Sequence, residues 1–278
     1  MRTKPAVVIS ALVFSLVVAG CASPTSRTPN PTPTPDPTRV PMQTVEMYYV
    51  GDTPTGFKLF SEKYSFQVTG DVAAETLSRL ISGRAQPVDP DYTNLWGTGT
   101  SLNVYSKDGS TGVIDLKMGK LNVGAEAESR AIDQLLWTLS AVDPSITGVL
   151  LLVDGERIES LAGHGDATKV IAKAPDYEVL SELQISSFVE GESLRNPVII
   201  SGQGCTFEAN LVWTLRRAGQ VIKSAPTTAE SACPDRSNWR VDLGNLVAGE
   251  YSFTVEDFSA KDGALSAKDD KNFTITSS

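Results

Sequence analysis

The chain has 278 residues, 24 Lys and Arg against 33 Asp and Glu, and a formal net charge of -9. That acidity argues against nucleic acid, whose binding relies on clustered basic side chains that release counterions. It also argues against electrostatic adhesion to anionic lipid head groups. One histidine and three cysteines leave little material for a zinc site or thiol chemistry.

Arg2 and Lys4 open the chain, and an apolar run follows from Ala6 to Ala19. The run falls short of the roughly 20 apolar residues that span a bilayer. Small residues close it, so residues 1–20 read as a secretory signal. The closing Val18-Ala19-Gly20-Cys21 resembles a bacterial lipobox. That resemblance implies a diacylglycerol on Cys21, cleavage before it, and a lipid anchor on the extracytoplasmic face of the cell membrane, with palmitate among the acyl chains. Two acyl chains hold firmly where one binds marginally. No other segment is apolar enough to cross a membrane.

Residues 21–42 form a Pro/Thr-rich linker. Polyproline II geometry, about 3.1 Å per residue, carries the folded part about 60 Å from the membrane. The remainder is long enough for two domains, expected at 43–165 and 181–278 with a linker over 166–180.

In the first, Val45–Val50 and Lys58–Phe66 read as strands. Val72–Ile81 reads as a helix capped by Asp71. Residues 84–100 read as a loop, and Leu102–Ser106 with Thr111–Leu116 as a hairpin around Asp108-Gly109. Ile132, Leu135, Leu136 and Leu139 follow helical spacing inside Glu126–Val142, which Pro144 ends. Ile146–Val153 reads as a buried strand and Glu156–Ser160 as its return. Strands with two helices on one face give an α+β layer. The Tyr48-Tyr49-Val50 strand, the helix around 131–139 and Gly148–Gly155 together resemble the GerMN domain of bacterial sporulation and germination proteins. The resemblance implies protein–protein contacts and assigns no catalytic residue.

Seven short strands follow, Leu183–Ser187, Pro197–Gly202, Thr206–Arg216, Gln220–Ser224, Trp239–Leu243, Glu250–Asp257 and Asn272–Thr276. Phe207, Ala209, Leu211, Trp213 and Leu215 alternate with polar positions and are expected to face a core, as are Tyr251, Phe253 and Val255. Such a series suggests an all-β sandwich. Val198–Gly204, Phe207–Leu215, Gly249–Val255 and Asp262-Gly263 resemble the immunoglobulin-like Gmad domain of spore germination. With Cys21 lipidated, Cys205 and Cys233 remain as a pair, and a disulfide is the default in an exported protein. Closing a ~29-residue loop contributes roughly 3–4 kcal/mol at best. Because Phe253, not a cysteine, follows Tyr251 by two residues, this bridge is not the usual sheet-to-sheet one. It is expected to pin the 230–237 loop near the third strand.

Candidate sites are sparse. His164, between Gly163 and Gly165, lacks the partners of a Ser/His/Asp triad and reads as a turn residue. Asp89 and Asp91, Glu126 and Glu128, and Asp269 and Asp270 are paired acids, the side-chain type glycoside hydrolysis uses. They read instead as solvated loop residues or dipole-matched helix starts. Asp262-Gly263 with Asp269-Asp270 lacks the spacing of a calcium loop. Gly97-Thr98-Gly99 is too short to cradle phosphate. No catalytic residue, metal or cofactor is expected. The reading is a non-catalytic, lipid-anchored envelope protein that binds a protein or cell-wall polymer such as peptidoglycan. Its alternatives are an accessory module for a separate peptidoglycan amidase and a solute-binding lipoprotein of a transporter.

Overall fold

The computed structural model describes residues 40–97, 99–119 and 123–276. Cys21, the signal segment and the linker up to residue 39 lie outside them. Residues 40–278 group as one unit. Among the described residues no helix is long and apolar enough to cross a membrane.

The chain enters through β1 (Met42–Thr53), which pairs antiparallel with β2 (Gly56–Gln67) along their whole length. Alternate residues Val45, Met47 and Tyr49 point into the core, as the two-residue strand period requires. β3 (Tyr92–Thr93) pairs with the other edge of β1, inside the stretch expected to be loop. A second sheet holds β4 (Ser101–Asp108), β5 (Thr111–Lys117), β6 (Gly148–Val153) and β7 (Glu156–Arg157). β5 and β6 run parallel, and the crossover between them carries α2 (Ala125–Val142). α1 (Val72–Ile81) begins where the Asp71 carboxylate accepts from the Ala74 N–H at 2.8 Å.

α2 is buried nearly all round, because it packs between the two sheets instead of lying on one face of a single layer. Thr138 Oγ1 accepts from the Tyr48 N–H of β1 at 3.0 Å, and Trp137 packs with Val50 and Leu59. On the other side Leu139 covers Gly112 of β5, where a Cβ would lie 2.5 Å from the leucine Cδ2. Only glycine admits that approach.

The 166–180 stretch, expected to be a linker, is tied into the first domain. β8 (Ile171–Ala172) pairs antiparallel with β6. The short α3 (Asp176–Val179) then delivers Val179 and Leu180 into a small core with Val50, Leu59 and Trp137. Lys173 Nζ sits 3.7 Å over the Trp137 ring.

The second domain is a sandwich of two sheets. One holds β9 (Leu183–Ile185), β11 (Val198–Gly204) and β14 (Ser237–Gly244) in the order β14-β11-β9. The other holds β10 (Glu192–Leu194), β12 (Asn210–Arg217), β13 (Gln220–Thr228), β15 (Gly249–Phe258) and β16 (Leu265–Ile275), ordered β10-β16-β15-β12-β13. Leu211, Trp213 and Leu215 face inward with Tyr251, Phe253 and Val255. Trp213 and Trp239 both stack on Phe253, at 5.8 and 6.4 Å between centroids. The Tyr251 hydroxyl turns back to the Val247 carbonyl at 2.7 Å. Gly202 of β11 leaves room for the Trp239 ring, since a Cβ there would lie 2.5 Å from it and 1.8 Å from the Gln184 carbonyl oxygen.

Phe207 departs from the alternation that placed it in the core: it is 82% exposed. The strand starts only at Asn210, because Ala209 takes a left-handed φ of 56° and breaks the extended chain before it. Cys205 and Cys233 are bonded, with their Cα atoms 4.7 Å apart. The bond ties the end of β11 to the loop that enters β14, its neighbour in the same sheet.

Candidate functional site

The densest cluster of buried charge lies where the two domains meet, and three elements build it. β16 starts at Leu265, seven residues earlier than expected, so its inward face carries Asp269 and Lys271 in line with Ala267, Phe273 and Ile275. In the first domain, Glu62 of β2 accepts the Val88 and Asp89 N–H groups at 2.7 and 2.9 Å and fixes a turn. That turn leads into β3, where Tyr92 stacks on Phe60 at 4.5 Å between centroids.

Lys271 crosses from the second domain into this turn. Its Nζ donates to Asp89 Oδ2 at 2.7 Å and to the Tyr92 hydroxyl at 3.3 Å. The Tyr92 hydroxyl in turn donates to Asp269 Oδ1 at 2.9 Å, and the Ile185 N–H to Asp269 Oδ2 at 2.6 Å. Asp89 and Lys271 are 2% exposed and Asp269 5%. Burial pushes Asp269 up to about 7, against the pull of Lys271, the Ile185 N–H and Tyr92, with nearby Asp89 adding to the rise. Burial works to lower Lys271, but Asp269 and Asp89 outweigh it and hold the ammonium above its ordinary range. Burial, then Asp269 and Asp89, keep Tyr92 protonated well past the ordinary phenol range.

Further contacts extend the joint. Lys58 pairs with Glu182 at 3.2 Å, Gln184 donates to the Ser61 carbonyl at 2.6 Å, and the Ser181 N–H donates to the Leu59 carbonyl at 2.9 Å. Arg236 donates to the Ser181 carbonyl. Two clefts flank the cluster. One, of about 470 Å³, is lined by Glu46, Lys63, Gln184 and Glu192 on the Glu62 and Lys271 side. The other, of about 240 Å³, lies beside Asp52, Asp91 and Lys268 on the Asp269 side. The buried groups are engaged with one another, and their edges form part of the cleft walls, Glu62 and Lys271 in the first and Tyr92 and Asp269 in the second. Chemically the arrangement is a latch, since a buried charge left without its partner is costly.

Two acids that read as solvated, Asp89 and Asp269, therefore have other work, while Asp91 is exposed and Asp270 stays partly exposed. Asp89 and Asp269 meet at the latch, while Asp270 pairs with Lys268 at 2.6 Å. Glu128 accepts from the Leu161, His164 and Gly165 N–H groups at 2.9, 2.8 and 3.3 Å. Burial alone would raise its pKa, but these backbone donors win and hold it below the ordinary value. Glu126 accepts from the Phe57 N–H at 2.9 Å. His164 is exposed on the loop that Glu128 holds. Asp262 caps its own turn through the Ala264 N–H at 3.2 Å. Gly97 packs against Gly83, and Thr98 lies outside the described residues. Among the described residues no group of three acids, His or Cys is arranged to hold a metal. The inward alternation of Asp269 and Lys271 with Ala267 and Phe273 is the sequence signal for the latch, and it lies just ahead of the strand expected at Asn272–Thr276.

Residues 46–159 match the family model described as "Sporulation and spore germination". Residues 182–264 match that of the "Immunoglobulin-like domain of bacterial spore germination". No curated protein matches the chain. Among solved structures, the tandem GerMN domains of the sporulation protein GerM from Bacillus subtilis align at 19% identity and TM-score 0.39, over 47% of this chain and 47% of that one. The chain thus spans about half the length of that protein. The first GerMN domain of the same protein aligns at 17% identity and TM-score 0.36, over 47% of this chain and 98% of the other. A candidate lipoprotein from Clostridium perfringens aligns at 23% identity and TM-score 0.34, over 48% of this chain and 88% of the other. At these scores the structural likenesses add nothing to the family matches. The chain joins an α+β domain of the GerMN-type sporulation and spore-germination family to an immunoglobulin-like sandwich of the bacterial spore-germination type.

Proposed function

We propose that this chain is a non-catalytic protein of the cell envelope, tethered through lipid on Cys21, that presents its two domains together to a protein partner or cell-wall polymer. Both matched families are named for spore germination, which supports an envelope setting. The observation that carries the reading is the buried cluster of Lys271, Asp89, Tyr92 and Asp269. Its strongly perturbed groups, the kind that often mark active sites, are spent on joining the domains. A Pro/Thr-rich tether ahead of such a joined pair supplies reach.

Two measurements test it. Cys21→Ala is expected to move the full chain from the membrane fraction to the soluble one and to abolish incorporation of labelled palmitate. Retention of both would overturn the anchor. Crosslinking the anchored protein on intact cells is expected to capture an envelope protein or wall polymer. Capture of a transporter permease would overturn the reading in favour of solute delivery, and capture of a wall amidase would make this chain its accessory.

A further inference from the structure

The most exposed large apolar side chain among those described stands on a turn braced on both sides of it. Phe207 is 82% exposed on the turn between β11 and β12. The bond from Cys205 to Cys233 closes the base of that turn. The Cys233 N–H donates to the Thr206 carbonyl at 3.0 Å, and the Ala229 N–H to the Ala209 carbonyl at 2.8 Å. Ala209 is held at a positive φ that a non-glycine residue adopts at some cost. A hydrophobic ring carried into water on a covalently closed, braced turn has its backbone already ordered, and that removes part of the entropy loss of binding.

Phe207 stands at a cleft of about 400 Å³ whose other aromatic is Phe258, 43% exposed. Glu182, Glu208 and Asp257 line the cleft, against the single cation Lys261. Lys58 engages only Oε1 of Glu182, and Oε2 is buried with no hydrogen-bond partner. Burial, with Glu182 and Glu208 nearby, raises the Asp257 carboxyl above its ordinary range, while Ser266 and a backbone N–H oppose. The cleft is therefore apolar at its centre, negative at its rim, and holds an acceptor without a donor.

We infer that the Phe207–Phe258 cleft is a docking site for a protein segment bearing an apolar side chain flanked by lysine or arginine. The apolar residue fills the space between the rings, where a desolvated anchor contributes most. The flanking cations meet Glu208 and Asp257, with Glu182 adding to the negative field behind them, which sets specificity and rate of encounter. The inference rests on the reading of the chain as a partner-binding protein and names one surface for it.

The test uses the full lipidated chain in detergent micelles and three fluorescent peptides. Each has the same central leucine–tryptophan pair, flanked by lysine, by glutamine or by glutamate. The lysine peptide is expected to bind about tenfold or more tighter than the glutamate peptide. Phe207→Ser is expected to weaken it about tenfold, and Glu208→Lys to narrow the lysine preference, both with unchanged thermal unfolding because both side chains are exposed. Equal affinity for the three peptides, or binding indifferent to Phe207→Ser, would overturn the inference. So would soluble peptidoglycan glycan chains that bind the cleft in place of the peptides and lose binding in Phe207→Ser. Partner capture on intact cells that survives Phe207→Ser would sink this surface and leave the proposed function standing.

Discussion

Glu128 and Asp269 are both carboxylates with almost no exposed surface, yet their protons are held in opposite senses. Glu128 lies inside one domain, and a single loop closes over it with backbone N–H groups. Asp269 lies between domains and receives one backbone N–H and one phenol, with Asp89 close enough to repel it. Preoriented backbone donors more than replace water around the first. Around the second, loss of water outweighs Lys271, one backbone N–H and one phenol together, and Asp89 adds to the rise. A buried acid thus reports the balance between the water it loses and the dipoles and charges its fold aims at it.

The largest break in this comparison is Lys271→Met. Removing one partner of a buried pair is expected to cost about 3–5 kcal/mol. Urea unfolding followed by tryptophan fluorescence is expected to show one transition in the parent and two in the variant, and an unchanged midpoint and shape would contradict the latch. Adding Asp89→Asn to that variant is expected to recover part of the loss, since it removes the orphaned charge. Next is Glu128→Ala, which strips the acceptor from the 161–165 loop and is expected to cost about 2 kcal/mol. Limited proteolysis at the loop should then become faster than in the parent.

The pH dependence separates the two acids by sign. Asp269 is raised in the folded state, so as pH climbs from about 4 to about 7 the unfolded chain loses this proton first. Stability therefore declines over that window, by up to about 1.4 kcal/mol per pH unit from this group, and levels above it. Glu128 is lowered when folded, so its contribution is present at neutral pH and is lost as pH falls through and below the carboxylate range. Asp269→Asn should remove the decline between pH 4 and 7, and an unchanged profile would refute the assignment. The smallest effect is that of Tyr92→Phe. Loss of one hydrogen bond to Asp269 is expected to cost about 1 kcal/mol. It should also move the Asp269 titration still higher.

The elements that depend on local spacing were legible in the chain. Apolar residues at helical intervals marked α1, and Asp71 marked its start. Asp108-Gly109 marked the turn between β4 and β5, where Gly109 takes a positive φ of 57°. The Leu211, Trp213 and Leu215 alternation marked β12, but it could not say where the strand begins, and so it carried Phe207 inward. A disulfide-closed turn overrode the pattern there. The helix and strand of the 171–179 segment, and β3, are too short to leave a periodic signal.

By itself, the sequence determined the acidity, the Pro/Thr-rich composition of residues 21–42 and the resemblance of two successive segments to known domain families. These rest on composition and on periodicities a few residues long. The tertiary structure alone decided what the charged residues do. Asp89 and Lys271 stand 182 positions apart, and nothing in the neighbourhood of either residue encodes the other. Their pairing follows from the placement of β16 against the turn after α1, and only that packing converts four polar side chains into a joint between domains.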